Sequence, residues 1–407
     1  MKKRGIDAGG SETRCAKSAQ DIVRIQSTCM EIPASAPSKG HILDNKLLDF
    51  VIKKCPCEVL VDRRFVRGEA MNQFNGDVMK CDNTSQKVLQ EITYINILYA
   101  LAVDCVKRGL NDEDFRIGVC IPAAEYYDDV NRRADEVKDN LAGMTAIYFP
   151  MLDQTIRFNI ERKNILVTAE GVVAAMRFKT DRGFVLKNTV VVDVGYRSTD
   201  ITVLQKFQPV GASAASRPIG GVNLEAYIVS QLERDNIFVQ SSEVQTSLTN
   251  NYCIDKTTGD LVNITKYVQM AGGMSQDTVA KVVDLMAADE MSFDRAQVEL
   301  ALRSNYILQG KEVVDITKYV HDAKNVFVDV VYKAICDVVN AKMMNISDVS
   351  NVLCIGRPFS GDLADQHCMI NMLCDKFKDK VNMYTVPDAG TANVVEIINV
   401  LGEDDDL

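Results

Sequence analysis

The stretch TVVVDVGYRSTDITVL, from Thr189 to Leu204, holds two apolar runs separated by a short polar turn. The first run, Val190 to Val194, is rich in β-branched residues, which is typical of a strand buried on both faces. The second run, Asp200 to Leu204, predicts its antiparallel hairpin partner. A carboxylate, Asp193, therefore stands near the end of a buried strand and is followed by a turn with a glycine and two hydroxyl residues.

A second segment, GIDAGGSETR, repeats this arrangement near the start of the chain, with Asp7 at the end of a short predicted strand at Gly5 to Asp7. Such a turn exposes backbone N–H groups that can hold phosphate, and the carboxylate can hold a hydrated divalent cation. Asp-x-Gly turns also occur in hairpins without a ligand, where glycine only permits a positive φ. Two such units predict two related lobes that clamp the phosphates of one nucleotide.

The composition argues against several other classes of protein. A chain of 407 residues exceeds what one core usually supports. The net charge of -10 argues against a broad nucleic-acid surface, and three histidines argue against a histidine-based metal site. The 12 cysteines are expected to be core residues, and the tight pair Cys55 and Cys57 lacks metal-ligand spacing. Because no apolar run reaches the roughly 18 residues of a membrane span, we expect a soluble, cytoplasmic protein.

The remaining pattern predicts an α/β chain. Helical spacing of apolar residues is found at Val88 to Lys107, Tyr127 to Asn140, Val222 to Leu232, Ser275 to Ala288, Ser292 to Leu302, Val320 to Met343 and Leu363 to Lys376. Further strands are predicted at Asp21 to Cys29, Phe115 to Ile121, Asn351 to Ile355 and Val381 to Val386, the last two forming a βαβ unit. The pentapeptide ITKYV occurs at Ile264 to Val268 and again at Ile316 to Val320. We interpret this recurrence as a coincidence of composition and assign it no function.

Five segments occur in the order found in the actin, Hsp70 and sugar-kinase superfamily: GIDAGGSETR, DVGYRSTDI, RPIGGVNLEAYI, VLCIG and PDAGTANVVE. The chain resembles bacterial actin-like ATPases of the plasmid-segregating ParM type, and IGVCIPAAEYYDD and RRFVRGEAM are similar to further segments of that family. The resemblance implies an actin-like, two-lobed α/β fold. Each lobe would have a mixed, ribonuclease H-like sheet flanked by helices, with the nucleotide in the cleft between them. Lobe I would comprise residues 1–180 with 388–407, and lobe II residues 181–387.

The resemblance also implies the site residues. Asp7 and Asp193 match the two metal-side aspartates, and Glu170 matches the carboxylate that orients the attacking water, which phosphoryl transfer needs more than a strong base. The alternative for Glu170 is an acid in the first turn of a helix, stabilised by the helix dipole. The residues expected to contact the nucleotide are Gly9, Gly10, Ser11, Thr13, Arg14, Gly195, Tyr196, Arg197, Ser198, Asp200, Gly220, Gly221, Asn223, Gly356 and Arg357.

Three of these positions depart from the family pattern. Tyr196 and Arg197 stand where relatives usually have glycine or threonine, and Arg14 stands where many have a phosphate-contacting lysine. A guanidinium can contact phosphate, although with a different geometry from an ammonium group. The sequence GRPFSGDL, from Gly356, replaces the usual glycine triplet beside the base, so the choice between ATP and GTP stays open.

The function implied by the resemblance is a Mg²⁺-dependent ATPase or GTPase that assembles end to end into a filament. Such a filament would segregate plasmid DNA through a DNA-binding adaptor of the ParR type on a centromere-like site, without direct contact to nucleic acid or membrane. The main alternative is a sugar or small-molecule kinase of the same superfamily, and a third is a nucleotide-binding module without turnover. No additional aspartate resembles the sugar-kinase catalytic loop, and the hydrophilic segment Ser241 to Val268 is expected to be filament or surface decoration.

Overall fold

A computed structural model of the chain describes residues 1–37, 47–81, 86–176, 188–205, 208–255, 258–271, 278–291, 293–309, 312–342, 344–356, 359, 368–378, 380–385 and 391–402. The chain forms two compact units. The first contains Met1–Pro218, Ile335–Arg357 and Asn382–Leu407, and the second contains Ile219–Ala334 and Pro358–Val381. The two lobes expected from the sequence divide the chain differently, and they stay a prediction.

The described residues form the following strands and helices. The strands are β1 (Lys2–Ala8), β2 (Glu12–Ser18), β3 (Asp21–Gln26), β4 (Cys29–Ile32), β5 (Asp49–Lys54), β6 (Arg64–Val66), β7 (Val78–Met79), β8 (Glu113–Ile121), β9 (Gly143–Phe149), β10 (Gln154–Ala169), β11 (Thr189–Val194), β12 (Thr199–Gln205), β13 (Gln208–Arg217), β14 (Tyr252–Ile254), β15 (Leu261–Asn263), β16 (Tyr306–Gln309), β17 (Glu312–Asp315), β18 (Asn351–Ile355) and β19 (Asn382–Thr385). The helices are α1 (Glu91–Arg108), α2 (Ala123–Asp128), α3 (Val130–Leu141), α4 (described over residues 172–176), α5 (Gly221–Arg234), α6 (Ser241–Thr249), α7 (Thr265–Met270), α8 (Thr278–Ala288), α9 (Arg295–Arg303), α10 (Thr317–Ala341), α11 (Met369–Phe377) and α12 (Ala392–Leu401).

Two sheets of the first unit share one topology. The larger sheet has the order β3-β2-β1-β8-β10-β9-β5-β6-β4-β7, and the smaller has the order β13-β12-β11-β18-β19. In both, three antiparallel strands (β1 to β3, or β11 to β13) are followed by two parallel partners, β8 and β10 or β18 and β19. The smaller sheet therefore repeats five strands of the larger one. This repetition confirms the related architecture that the two carboxylate-bearing segments predict.

The core of the larger sheet is built from opposite faces of the same strands. Ile6 packs in one apolar cluster with Ile95 and Leu98 of α1. Gly5, the preceding residue, points to the other face, where a Cβ atom would lie 2.6 Å from the carbonyl oxygen of Val394 in α12. Glycine therefore lets α12 lie directly on the sheet, opposite α1.

Most predicted elements are confirmed with shifted ends. The predicted helices Val88 to Lys107 and Val222 to Leu232 correspond to α1 and α5, and β18 and β19 pair in parallel as the predicted βαβ unit requires. The predicted helix Leu363 to Lys376 begins outside the described residues and is seen as α11 from Met369. Within the part of the chain that the structure describes, none of the helices combines the length and the apolar character needed to cross a membrane.

A motif of helix, hairpin and helix occurs twice between Ser241 and Ala341, and ITKYV marks both copies. The first copy is α6, β14, β15 and α7, and the second is α9, β16, β17 and α10. The backbone N–H of Asn251 donates to Oγ1 of Thr265 over 2.8 Å, and that of Asn305 donates to Oγ1 of Thr317 over 2.9 Å. In both copies the isoleucine N–H of the pentapeptide donates to the carbonyl of the same asparagine over 2.9 Å. The interpretation of ITKYV as a coincidence was wrong, because it marks a structural repeat.

The first helix of each copy contacts the hairpin region of the other copy. The side-chain amide of Gln297, on α9, donates to the carbonyl oxygen of Ile254 in β14 over 3.0 Å. Reciprocally, the side-chain amide of Asn305 donates to the carbonyl oxygen of Ser247 on α6 over 3.0 Å. The segment Ser241 to Val268 is therefore one half of a packed pair, and its expected use as filament or surface decoration stays a prediction.

Candidate functional site

The two aspartates expected on the metal side occupy equivalent positions in the two sheets. The β1–β2 register places Asp7 opposite Arg14, and the β11–β12 register places Asp193 opposite Asp200. Each aspartate stands one residue before the end of its strand. The hairpins therefore share their geometry but differ in charge: Asp7 has a cation across the hairpin, 3.1 Å from its Oδ2, whereas Asp193 faces a second acid.

The first turn, Gly9–Ser11, is held from behind by a serine that the sequence did not single out. The hydroxyl of Ser27 donates to the carbonyl oxygen of Gly9 over 2.6 Å. The backbone N–H of Ser27 donates to the carbonyl oxygen of Ser11 over 2.9 Å. The hydroxyl oxygens of Ser27 and Thr13 lie 2.9 Å apart, and both residues are fully buried. Thr13 therefore supports the turn from the interior of the protein.

The second turn, Gly195–Ser198, connects β11 to β12. It is closed by the backbone N–H of Gly195, which donates to the carbonyl oxygen of Ser198 over 2.8 Å. Gly195 is exposed, while Tyr196 and Ser198 are half-buried. The turn thus keeps a closed hairpin geometry although Tyr196 and Arg197 replace the smaller residues of the family pattern.

Arg197 brings the two turns together. Its Nη1 donates to the carbonyl oxygen of Cys81, and a Cβ atom at Gly10 would lie 3.2 Å from its Cδ. A side chain at position 10 would therefore press against the arginine. The departure from the family pattern places a guanidinium over the first turn instead of leaving the second turn open.

Glu170 follows β10 and forms an ion pair that the sequence did not predict. Its backbone N–H donates to the carbonyl oxygen of Ile121 over 2.8 Å, and its Oε1 lies 2.7 Å from Nζ of Lys87. The carboxylate of Glu125 accepts the backbone N–H groups of Lys87, at 2.7 Å, and Val88, at 3.0 Å. Glu125 therefore fixes the segment that directs Lys87 at Glu170.

The acids of the site are costly to ionise in this environment. Burial raises the pKa of Glu170, with Lys87 opposing the shift and Asp7 adding to it. Burial by itself would lower the pKa of Lys87, but Glu170 and Asp7 outweigh it and the net shift is upward. Burial also raises the pKa of Asp193 to about 6 and that of Asp200 in the same direction. A cation bound beside these groups would favour their charged forms.

Asn393, at the start of α12, links parts of the site that are distant in sequence. Its amide nitrogen donates to Oδ2 of Asp193 over 2.7 Å, and its amide oxygen accepts the backbone N–H of Gly171 over 2.8 Å. The side chain is buried. The family resemblance included its segment, PDAGTANVVE, but did not single out this residue. A polar amide in the first turn of the largely apolar helix ANVVEIINVL was the signal that could have found it.

The donor set fits a magnesium ion bound together with phosphates. Mg²⁺ prefers oxygen ligands and is usually held by one or two carboxylates, with water and substrate phosphates completing its shell. Asp7 and Asp193 supply carboxylates, and Oδ1 of Asp200 is buried without a hydrogen-bond partner in the described structure. Among the described residues, no three His, Cys, Asp or Glu side chains are grouped closely enough to hold a metal by themselves.

The remaining candidate residues are placed as follows. In the second unit, Gly220 and Gly221 begin α5, and the side-chain oxygen of Asn223 accepts the backbone N–H of Gly220 over 2.8 Å. Gly356, in the first unit, has a φ of 101°, and a Cβ atom there would lie 2.1 Å from the carbonyl oxygen of Val194. Arg357 lies outside the described residues. Contact of these residues with a nucleotide stays a prediction.

No protein-family model and no curated protein sequence matches the chain. Solved structures do match it over nearly its whole length. An archaeal actin homologue has a TM-score of 0.64 at 13% identity, covering 98% of this chain and 99% of that chain. Bacillus thuringiensis ParM with ATP has a TM-score of 0.61 at 13% identity, covering 98% and 97%. A non-polymerisable quadruple mutant of pCBH ParM has a TM-score of 0.56 at 14% identity, covering 98% of both chains. The chain has an actin-like fold, which confirms the fold class expected from the sequence.

Proposed function

We propose that this protein is a filament-forming, actin-like nucleoside triphosphatase that uses Mg²⁺ and ATP or GTP. The observation that carries the proposal is the placement of Asp7 and Asp193 at equivalent strand ends, in the same unit as the buried Glu170 and its partner Lys87. Carboxyl groups with raised pKa values, as at Asp193 and Glu170, beside a cationic side chain are typical of catalytic sites. The likeness to a ParM structure with ATP supports a nucleotide as the ligand.

Each group in the site has a distinct task in hydrolysis. Asp7 and Asp193 would hold Mg²⁺, which neutralises charge on the phosphates when bound. Glu170 would orient the attacking water, and Lys87 keeps its carboxylate in one place through the 2.7 Å ion pair. Since phosphoryl transfer depends mainly on positioning and electrostatic stabilisation, an oriented carboxylate suffices without a strong base.

The two turns would bind the phosphates. The Gly9–Ser11 turn, held by Ser27, offers backbone N–H groups, and Arg14 and Arg197 offer guanidinium groups that suit phosphate oxygens. Arg197 rests on the first turn and on the carbonyl oxygen of Cys81. We expect it to exchange that carbonyl for a phosphate oxygen when nucleotide enters.

The filament would segregate plasmid DNA in the cytoplasm through a DNA-binding adaptor of the ParR type. The net charge of -10 supports an adaptor, because direct binding to DNA needs clustered Lys and Arg. The description of a matched ParM as non-polymerisable concerns a mutant of that protein, and it supports polymerisation as the property to test here.

Light scattering and electron microscopy after addition of Mg²⁺ with ATP or GTP test the proposal. Scattering should rise only with nucleotide, and micrographs should show filaments; no rise over a wide range of protein concentration would reject the filament. Asp193→Ala should abolish hydrolysis, while Asp337→Ala, at an exposed position of α10, should leave it unchanged. Transfer of phosphate to a sugar without scattering would indicate a kinase instead.

A further inference from the structure

We propose that Asn393 is a positioning residue that couples the metal-side carboxylate of Asp193 to the backbone beside Glu170. The inference rests on the proposed nucleotide hydrolysis and deepens it, because it assigns a role to a residue outside both phosphate turns. Asn393 and Asp193 are 200 positions apart in the chain, and their side chains are joined by a 2.7 Å hydrogen bond.

Both ends of the Asn393 amide are used, and they are not interchangeable. The nitrogen can only donate and meets a carboxylate, whereas the oxygen can only accept and meets the N–H of Gly171, at 2.7 and 2.8 Å respectively. An aspartate of the same size would keep the contact to Gly171 but would place a second carboxylate against Asp193. An apolar side chain would lose both contacts. The two partners therefore require an asparagine in this orientation.

Gly171 brings the backbone beside Glu170 against Asp193. Its φ is 73°, and a Cβ atom at this position would lie 3.4 Å from Cβ of Asp193. Glu170, the preceding residue, is fixed by its own N–H to the carbonyl oxygen of Ile121 over 2.8 Å. A shift of residues 170–171 would consequently displace the amide of Asn393 and, with it, the carboxylate of Asp193.

The helix that carries Asn393 is itself held against the sheet. The Cβ position of Gly5 lies 2.6 Å from the carbonyl oxygen of Val394, and that of Gly118 lies 2.4 Å from Cγ1 of Ile397. The thiol of Cys120 donates to the carbonyl oxygen of Asn393 over 3.8 Å. Because α12 packs this closely on β1 and β8, the side-chain amide of Asn393 is held in a fixed position against Asp193.

The test compares Asn393→Ala and Asn393→Asp with Asn399→Ala, a matched control. Asn399 lies on the same helix, and its amide makes a 3.1 Å hydrogen bond to Oε2 of Glu396. Both changes at position 393 should lower kcat about 10- to 100-fold and raise the Mg²⁺ concentration for half-maximal hydrolysis, as is usual when the partner of a metal ligand is lost. KM for the nucleotide should change less than about 3-fold, because no contact to the nucleotide itself is removed. Asn399→Ala should behave like the wild type.

The outcomes separate the inference from the proposed function. If the wild type hydrolyses nucleotide and both position-393 variants match Asn399→Ala in kcat and in Mg²⁺ dependence, the inference is overturned and the proposed function stands. If Asn393→Ala fails to fold, Asn393→Asp decides, since it conserves the size of the side chain. If the wild type hydrolyses nothing and Mg²⁺ with nucleotide does not raise its melting temperature, both ideas fall. If only the melting temperature responds, a smaller rise in Asn393→Asp than in Asn399→Ala supports the inference, and an equal rise overturns it.

Discussion

The ammonium group of Lys87 lies 2.7 Å from Oε1 of Glu170, and the two side chains are only 14% and 12% exposed. The pair joins the segment before α1 to the residue after β10, and Glu125 fixes its cationic partner through two backbone N–H groups. A buried ion pair is sensitive to the loss of one partner, because the remaining charge is then unpaired.

Replacing Lys87 by methionine should therefore lower the free energy of unfolding by about 3 kcal/mol at pH 8. The loss should shrink at pH 5, since Glu170, whose pKa burial already raises, can then take up a proton. Denaturant unfolding at both pH values measures this difference. Lys53→Met is the control, because Lys53 forms an exposed pair with Asp62 at 3.5 Å and should cost less than about 1 kcal/mol. Equal losses in the two variants, at both pH values, would contradict a buried pair.

The acids of the site should make the nucleotide-free protein less stable as the pH rises. Burial raises the pKa of Asp193 from 3.8 to about 6, and it raises those of Asp200 and Glu170 as well. A carboxyl group whose pKa is raised in the folded protein contributes stability that is fully present below its pKa in the unfolded chain, near 4. This stability is lost as the pH rises through its pKa in the folded protein. Carboxylates with lowered pKa values, such as Asp21 and Asp289, act in the opposite direction but only in more acidic solution.

Thermal melts between pH 5.5 and 8 check this dependence. The melting temperature of the nucleotide-free protein should fall across this range, and Asp200→Asn should make the fall shallower because one of the acids is removed. Mg²⁺ with nucleotide should also reduce the fall of the melting temperature with pH, since a bound cation favours ionised carboxylates. A melting temperature that rises with pH, in wild type and variant alike, would be inconsistent with the buried acids.

Gly356 should tolerate no side chain. A Cβ atom would lie 2.1 Å from the carbonyl oxygen of Val194, and the φ of 101° is unfavourable for other residues. Gly356→Ala should lower the free energy of unfolding by at least about 3 kcal/mol, because backbone strain and the clash add together. Gly109→Ala isolates the strain, because Gly109 has a φ of 66° and nothing within 4 Å of its Cβ position, and it should cost about 1 kcal/mol. Comparable melting temperatures for the two variants would refute the close contact of β18 with β11.

The repeated motif should respond equally at its two ITKYV segments. Thr265→Val and Thr317→Val each remove a hydroxyl that accepts the backbone N–H of an asparagine, over 2.8 and 2.9 Å respectively. Each should therefore lower the free energy of unfolding by about 1–2 kcal/mol. Thr249→Val is the control, since its exposed hydroxyl donates only to carbonyls of its own helix. Chemical denaturation of the three variants compares them. A large effect in one copy and none in the other would show that the copies are not equivalent.

The sequence predicted the hairpins of the site because their signals are local. Apolar β-branched runs and a glycine turn identify β11 and β12 without reference to the rest of the chain. β10 was missed, since Glu161 to Asn164 interrupt its alternation and the pairing with β8 shifts register between Ile160 and Ile165. Glu125 lies between the predicted strand at Phe115 to Ile121 and the predicted helix at Tyr127 to Asn140, and no local pattern indicated that it would hold the backbone of Lys87.

The partners of the site residues were beyond local pattern. Lys87 and Glu170 are 83 positions apart, and Asn393 and Asp193 are 200 positions apart. Such contacts depend on which strands become neighbours, and periodicity does not encode that. Ser27 was equally hidden, because a serine at the end of a strand has no distinctive spacing. Residue types marked the turns, but only the fold showed what holds them.

The most direct test of nucleotide-driven assembly is to follow light scattering and phosphate release together, in wild type and Glu170→Ala, after addition of Mg²⁺ with ATP or GTP. We predict that the variant assembles like the wild type while its phosphate release slows at least about 10-fold, because the water loses its orienting carboxylate. No rise in scattering in the wild type would contradict nucleotide-driven assembly, and unchanged phosphate release, or an equal loss of assembly and release, in the variant would contradict a catalytic role for Glu170.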